Sequence, residues 1–211
     1  MSVSGAEFLR NIGVLLLDPH EVVWSEDLKE VFVNEGLSII ALLRPDATAV
    51  TATLALTPNT PKQSIPSTGV RLLDVIRNTG GGRPVRKISR EILNETVPAW
   101  TSEETETSIQ NFMFDEENPK AFWVYPTPTI ILNVEIVYSD SPSEFSFESQ
   151  SIGIDDIFLS PLKEYVLYRC LNMPSKGQDL QKAAGYLQNF YNALGVKMQS
   201  DAILSQVQQG G

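Results

Sequence analysis

Histidine and cysteine are almost missing from this chain: among 211 residues, only His20 carries an imidazole and only Cys170 a thiol. A single thiol cannot close an internal disulfide, which suits a reducing compartment. The same scarcity excludes the common zinc patterns, which need several His or Cys ligands. A Cys–His nucleophile pair would have to join a loop histidine, set just after Asp18-Pro19, to a cysteine on an apolar helical face, where thiols are inert. Long apolar runs are also missing. The longest, Val14–Leu17 and Ile39–Leu43, fall far short of the roughly 20 residues that span a bilayer. The start, MSVSGAEFLRNIG, has neither the charged beginning nor the apolar stretch of a signal peptide. The expectation is a soluble protein made in the cytosol, with no membrane partner and no cofactor.

Basic residues are in deficit as well, 16 against 26 acidic ones, for a net charge of −10. A chain this acidic does not coat nucleic acid by bulk electrostatics, because phosphate binding needs Lys and Arg. The deficit is uneven. Between residues 71 and 90, Arg71, Arg77, Arg83, Arg86, Lys87 and Arg90 face only Asp74, a local net of +5 that leaves −15 for the rest. In a monomer these cations could guard a sheet edge. In an assembly they could meet an acidic neighbouring copy, or face DNA.

What the chain does have is a core-sized apolar fraction, 42%, in a changing pattern. Phe8, Leu9, Ile12, Leu15 and Leu16 recur at helical spacing. Ser25 offers an N-cap, with Glu26 and Asp27 at the positive end of the helix dipole. Leu28, Val31, Phe32, Ile39, Leu42 and Leu43 continue one face until Pro45, and Gly36 predicts a close helix contact. From Thr48 the period becomes two, with Val50, Ala52, Leu54 and Leu56 on one side. Val70–Asn78 and Pro84–Ile88 are expected to form a hairpin around Gly80-Gly81-Gly82. Ser89–Glu95 predicts a short helix, and Ser108–Phe114, Ala121–Tyr125 and Thr129–Tyr138 three more strands. Helical spacing returns with Ile157, Phe158, Leu162, Tyr165, Val166 and Leu167 behind a cap at Asp155 or Asp156. A further helix over Gln178–Leu194 closes at Gly195.

The predicted fold class is α+β: a helical bundle from residues 1–46 and 151–195, with an inserted antiparallel β-barrel or β-sandwich over 47–150. A tail, 196–211, carries a short amphipathic stretch around Ala202–Val207 with Ile203, Leu204 and Val207 as its apolar residues.

No catalytic set emerges. The triple glycine is followed by Arg83-Pro84 and a strand, unlike either phosphate-binding fingerprint. The acidic groups Glu103-Glu104, Asp115-Glu116-Glu117 and Asp155-Asp156 lack both calcium-loop spacing and a paired-carboxylate arrangement. The aromatic run Phe122-Trp123-Val124-Tyr125-Pro126 could stack on a sugar or base, or fill a barrel core. This leaves a structural protein as the first reading and a tail-associated receptor- or carbohydrate-binding module as the alternative.

Several segments, taken in order, carry a resemblance. They are Leu16-Leu17-Asp18-Pro19, then Val23-Trp24-Ser25-Glu26-Asp27-Leu28, Leu43-Arg44-Pro45-Asp46-Ala47 and Gln63-Ser64-Ile65-Pro66. Leu72-Leu73-Asp74-Val75-Ile76-Arg77-Asn78, Gly82-Arg83-Pro84-Val85-Arg86 and Pro98-Ala99-Trp100 follow. The last are Phe122-Trp123-Val124-Tyr125-Pro126 and Tyr165-Val166-Leu167-Tyr168-Arg169. The order resembles the head-to-tail adaptor family of short-tailed bacteriophages, with a role like that of the tail tubular protein A type. That resemblance implies a virion protein of the neck, assembled in the host bacterial cytoplasm. It implies a ring, typically a dodecamer, beneath the portal protein and above the tail nozzle or tail tube protein. Double-stranded DNA would pass through its channel without specific contacts, and the C-terminal segment would dock on the portal. No catalytic residue comes with the family. Asn172-Met173-Pro174-Ser175-Lys176 departs from the Asp-containing turn more usual there.

Overall fold

The computed structural model describes residues 3–115, 117–149 and 151–195. The chain divides into two units: the residues up to Ala47 together with those from Pro142 on, and Thr48–Ser141 between them. The class is mixed α+β, as the change of hydrophobic period predicts.

The first unit is helical. Ser4 caps α1 (Gly5–Leu15) by accepting from the Glu7 N–H. The α1 helix buries Phe8, Leu9 and Ile12, but Leu15 is half exposed, so the apolar face ends a turn early. The chain then turns through Leu17, whose φ is +58°. The Asp18 N–H donates to the Gly13 carbonyl and the Leu17 N–H to that of Val14, the paired bonds of a Schellman ending. Ser25 caps α2 (Glu26–Leu43) as expected. Its buried strip is Phe32, Val33, Gly36, Leu37 and Ile40, whereas Val31 and Leu42 face solvent. Apolar residues on both flanks of α2 made its sequence pattern point to a neighbouring face.

Gly36 is a close contact. A Cβ there would lie 2.7 Å from Leu162 Cδ1 and 2.9 Å from Tyr165 Cδ1. Both belong to α4 (Leu159–Asn172), so the missing side chain lets the two helices approach. Asp155 begins this helical stretch by accepting from the Ile157 N–H. Asp179 caps α5 (Leu180–Ala193), which packs Ala183 and Phe190 into the same core, and Gly195 follows at φ +70°. Residues 142–149, expected with the β-rich insert, belong to this helical unit. Phe145 meets Phe8 edge-on at 6.3 Å, and Asn34 grips its backbone in both directions, at 2.9 and 3.0 Å.

Between α1 and α2, Asp18 organises the turn. Its buried carboxylate accepts from the N–H groups of Val22, Val23 and Trp24 at 2.8, 2.8 and 3.0 Å. These bonds, Trp24's foremost, hold the Asp18 carboxyl below the usual carboxylate range. A carboxyl lowered by folding stabilises fully above its unfolded value, about 4. That contribution fades as pH falls through the lower folded value. Urea melts of the protein and of Asp18→Ala should therefore differ by a constant amount near neutrality, with the gap closing only in acid. A gap that widened in acid would contradict this.

Among the described residues, the second unit holds three sheets. Strand β9 (Asn133–Asp140) lies between β1 (Ala49–Ala55) and β3 (Gly69–Asn78), antiparallel to both. A second sheet runs β2 (Lys62–Ser64), β7 (Ala121–Tyr125), β6 (Asn111–Phe114) and β4 (Arg86–Lys87). The third pairs β5 (Glu104–Thr105) with β8 (Thr127–Pro128). Leu72, Val75, Val134 and Ile136 from the first sheet share one core with Phe112, Phe122 and Val124 from the second. This is a sandwich-like arrangement of open sheets, not a closed barrel. Short parallel pairs, β4 with β6 and β5 with β8, complete it.

The expected hairpin over 70–88 is only half formed. The Asn78 N–H donates to the Arg83 carbonyl and the Val85 N–H to that of Ile76, and there the return ends. Arg86 and Lys87 cross to the other sheet and pair in parallel with Asn111 and Phe112. The predicted helix after it is present as α3 (Arg90–Thr96), capped by Ser89. Strand β3 also breaks the period of two. Register shifts at three places put the buried residues at Gly69, Leu72, Val75 and Asn78, every third position. Each bulge inserts one residue, so the side chain that should face outward turns in.

Candidate functional site

The basic segment is the first candidate surface. Arg71 and Arg77 both lie on β3, separated by about 20 Å of strand at 3.3 Å per residue. Arg77 donates to Glu135 on β9 at 2.6 Å and sits opposite Pro84. Arg83 follows the glycine turn, where Gly81 and Gly82 take φ of +109° and +66°. Arg86 and Lys87 form β4, with Lys87 lying 4.6 Å over the Phe114 ring. Arg90 opens α3. A cation there opposes the helix dipole, so its charge does nothing for its own helix. The fold thus brings Arg77 and Arg83 to one end of the insert, strings Arg86, Lys87 and Arg90 along the crossing, and leaves Arg71 apart. All six are exposed, and among the described residues only Arg77 makes an ion pair. Ile203, Leu204 and Val207 lie outside the described residues.

Asn78 positions this segment. Its buried side chain donates to the carbonyls of Arg83 and Ile109 at 3.0 and 2.9 Å, and accepts from the Ile109 N–H at 3.0 Å. Nothing in the local sequence marks this role. A buried amide earns it only when distant backbone arrives to meet it.

The second candidate is an open groove of about 800 Å³ on the helical unit, lined by Asn34, Glu35, Ser38, Ser143, Tyr165 and Arg169 among others. Arg169 pairs with Glu35, donates to the Tyr165 hydroxyl at 3.3 Å and covers the Phe32 ring at 4.7 Å. Burial raises the Tyr165 phenol. The charges here satisfy one another, which suits a structural brace.

The aromatic run fills cores. Phe122 and Val124 are fully buried, and Trp123 packs edge-on against Trp100 at 6.1 Å with Lys62 over its ring. Little of that run remains for stacking on a sugar. Cys170 is fully buried, and burial pushes its thiol up to about 12, while His20 sits exposed in the turn after α1. A thiol so shifted is not ionised near neutrality and cannot serve as a nucleophile. Among the described residues, no three His, Cys, Asp or Glu side chains gather as metal ligands, and no helix is long and apolar enough to cross a membrane.

The sequence reading passed over one feature, the free edge of β1. All seven residues from Ala49 to Ala55 pair with β9 on one side. Among the described residues, nothing bonds to the other side.

Compared with known proteins, the chain matches the family model described as SU10 adaptor protein over residues 4–209. No curated protein matches it.

Proposed function

The chain belongs to the SU10 adaptor protein family, a family of phage head-to-tail adaptors, and on that premise we propose that it forms a ring between the portal and the tail. The family is structural and its place is the virion neck. The proposed ring is a dodecamer of this chain seated beneath the portal protein. It continues into the tail nozzle or tail tube, with double-stranded DNA passing through its centre.

The observation that favours this reading is the uncompensated cations on an acidic chain. Arg71, Arg83, Arg86, Lys87 and Arg90 are exposed without an acidic partner among the described residues, while the chain as a whole carries −10. A ring closes through heterologous contacts, in which one surface of each copy meets a different surface of the next. Opposite charges on separate surfaces steer and register such contacts. A net-negative channel would also let DNA slide, because held phosphates need cations.

Arg83→Glu combined with Arg86→Glu should leave the melting curve unchanged and weaken each contact between neighbouring copies roughly tenfold, about 1.4 kcal/mol, so that ring formation on the portal falls sharply. Electron microscopy of the mixture counts the rings. An undiminished ring yield from the doubly substituted protein would remove the basic segment from the interface.

A further inference from the structure

The two edges of the sheet β1–β9–β3 are treated differently. On β3 the outer edge is closed off. The Leu72 N–H donates to the Pro119 carbonyl at 3.0 Å, the Ile76 carbonyl accepts from Val85 and the Asn78 N–H donates to Arg83 on the returning chain, and three bulges interrupt the strand. On β1 none of these devices is present. Ala49-Val50-Thr51-Ala52-Thr53-Leu54-Ala55 holds no charge, no proline and no register shift against β9. Exposed edges of this kind template pairing with another strand unless they are blocked.

The direction of the free groups follows from the ladder. The Leu56 N–H donates to the Leu132 carbonyl at 2.8 Å. By alternation Leu54, Ala52 and Val50 bond to β9, and Ala49, Thr51, Thr53 and Ala55 turn their N–H and C=O groups outward. The side chains alternate too. Val50, Ala52 and Leu54 stand on the core face, opposite Tyr138, Ile136 and Val134, yet Val50 remains 39% exposed and Leu54 only partly covered.

The sequence of β1 is nearly the same in both directions, Ala-Val-Thr-Ala-Thr-Leu-Ala against Ala-Leu-Thr-Ala-Thr-Val-Ala. We propose that the free edge of β1 binds the same strand of a second copy, antiparallel and centred on Ala52, joining two three-stranded sheets into one of six strands. In that register Thr51 faces Thr53 of the second copy and Ala49 faces its Ala55, each a pair whose backbone groups already point outward. Val50 falls opposite Leu54 of the second copy, so each covers the exposed apolar surface of the other. Both copies supply the same surface, which makes the contact isologous. A cyclic ring is built from heterologous contacts, so this pair belongs to the chain before it assembles. It stands independently of the ring reading.

The decisive experiment is Ala52→Cys under mild oxidation. At the centre of the pair the two Cα atoms would lie about 4.5 Å apart, the spacing of a non-hydrogen-bonded antiparallel pair, which a disulfide spans. Buried Cys170 does not compete. The expected result is a disulfide-linked dimer as the main product, and a two-copy mass for the unmodified protein by light scattering. Thr51→Lys with Thr53→Lys sets like charges directly opposite across the pair and should return the mass to one copy. Both side chains are exposed, so folding, read by circular dichroism, should persist. A monomeric parent protein, a folded Ala52→Cys variant that does not cross-link, or a doubly lysine-substituted protein that still dimerises would each overturn the proposal. Ring formation of the lysine variant on the portal, scored separately, reports on the ring alone.

Discussion

Asn78→Ala should cost about 3 kcal/mol of stability. Asn78 is 2% exposed, and its amide makes three hydrogen bonds, all to backbone. Truncation strands the buried Ile109 N–H and carbonyl, while the Arg83 carbonyl keeps the Asn78 backbone N–H at 2.8 Å. A buried polar group left without a partner costs roughly 1–3 kcal/mol. Asn78→Asp should be at least as damaging. Its second oxygen would face the Arg83 and Ile109 carbonyls where the amide now donates. Urea denaturation of the three proteins provides the test, and a loss below about 1 kcal/mol for Asn78→Ala would show that the bonds contribute little. Because Asn78 ties the glycine turn to residue 109, the same substitution should loosen the segment that carries Arg83 and Arg86.

Gly5→Ala should release α1 from the helical unit. At this position a Cβ would stand 2.4 Å from the Ser146 carbonyl oxygen and 2.9 Å from that of Phe147. Both are backbone atoms, so no side-chain rotation relieves the clash. The Gly5 N–H also donates to the Ser149 carbonyl at 2.8 Å, holding the helix start against the same segment. Moving α1 outward breaks that bond and parts Phe8 from Phe145. The combined loss is roughly 2–4 kcal/mol, that of overpacking plus a lost hydrogen bond. Hydrogen exchange separates this from a global effect. Amides of α1 should exchange much faster in Gly5→Ala, while those of β9 keep their protection. Unchanged protection in α1 would mean that the segment 145–149 can move aside at little cost.

These two sites were hidden from the sequence for the same reason. Gly5 looks like any small residue near a helix start, and Asn78 like any polar residue before a glycine turn. Their roles depend on segments 31 residues away for Asn78 and more than 140 away for Gly5. Gly36 was legible because a glycine inside a strong helical pattern violates local preference and so calls for a packing reason. The basic residues were legible as a cluster along the chain, but the fold spreads them. The hairpin failed at Val85, where the chain stops pairing with β3 and crosses to β6.

By itself the sequence determined the mixed α+β class, the cap at Ser25, the short helix that follows Ser89 and the insertion of strands between helical segments. Each of these follows from local periodicity or from a cap reaching its own first turn. Tertiary structure decided the rest. It chose which strip of α2 is buried, turned β3 inward at every third residue and sent β4 to the second sheet. Among the described residues, it also left one edge of β1 without a partner while sealing the other edge of the same sheet. Strand order and bulges arise from contacts between residues far apart in the chain, and no local pattern encodes which of two edges a distant segment will come to cover.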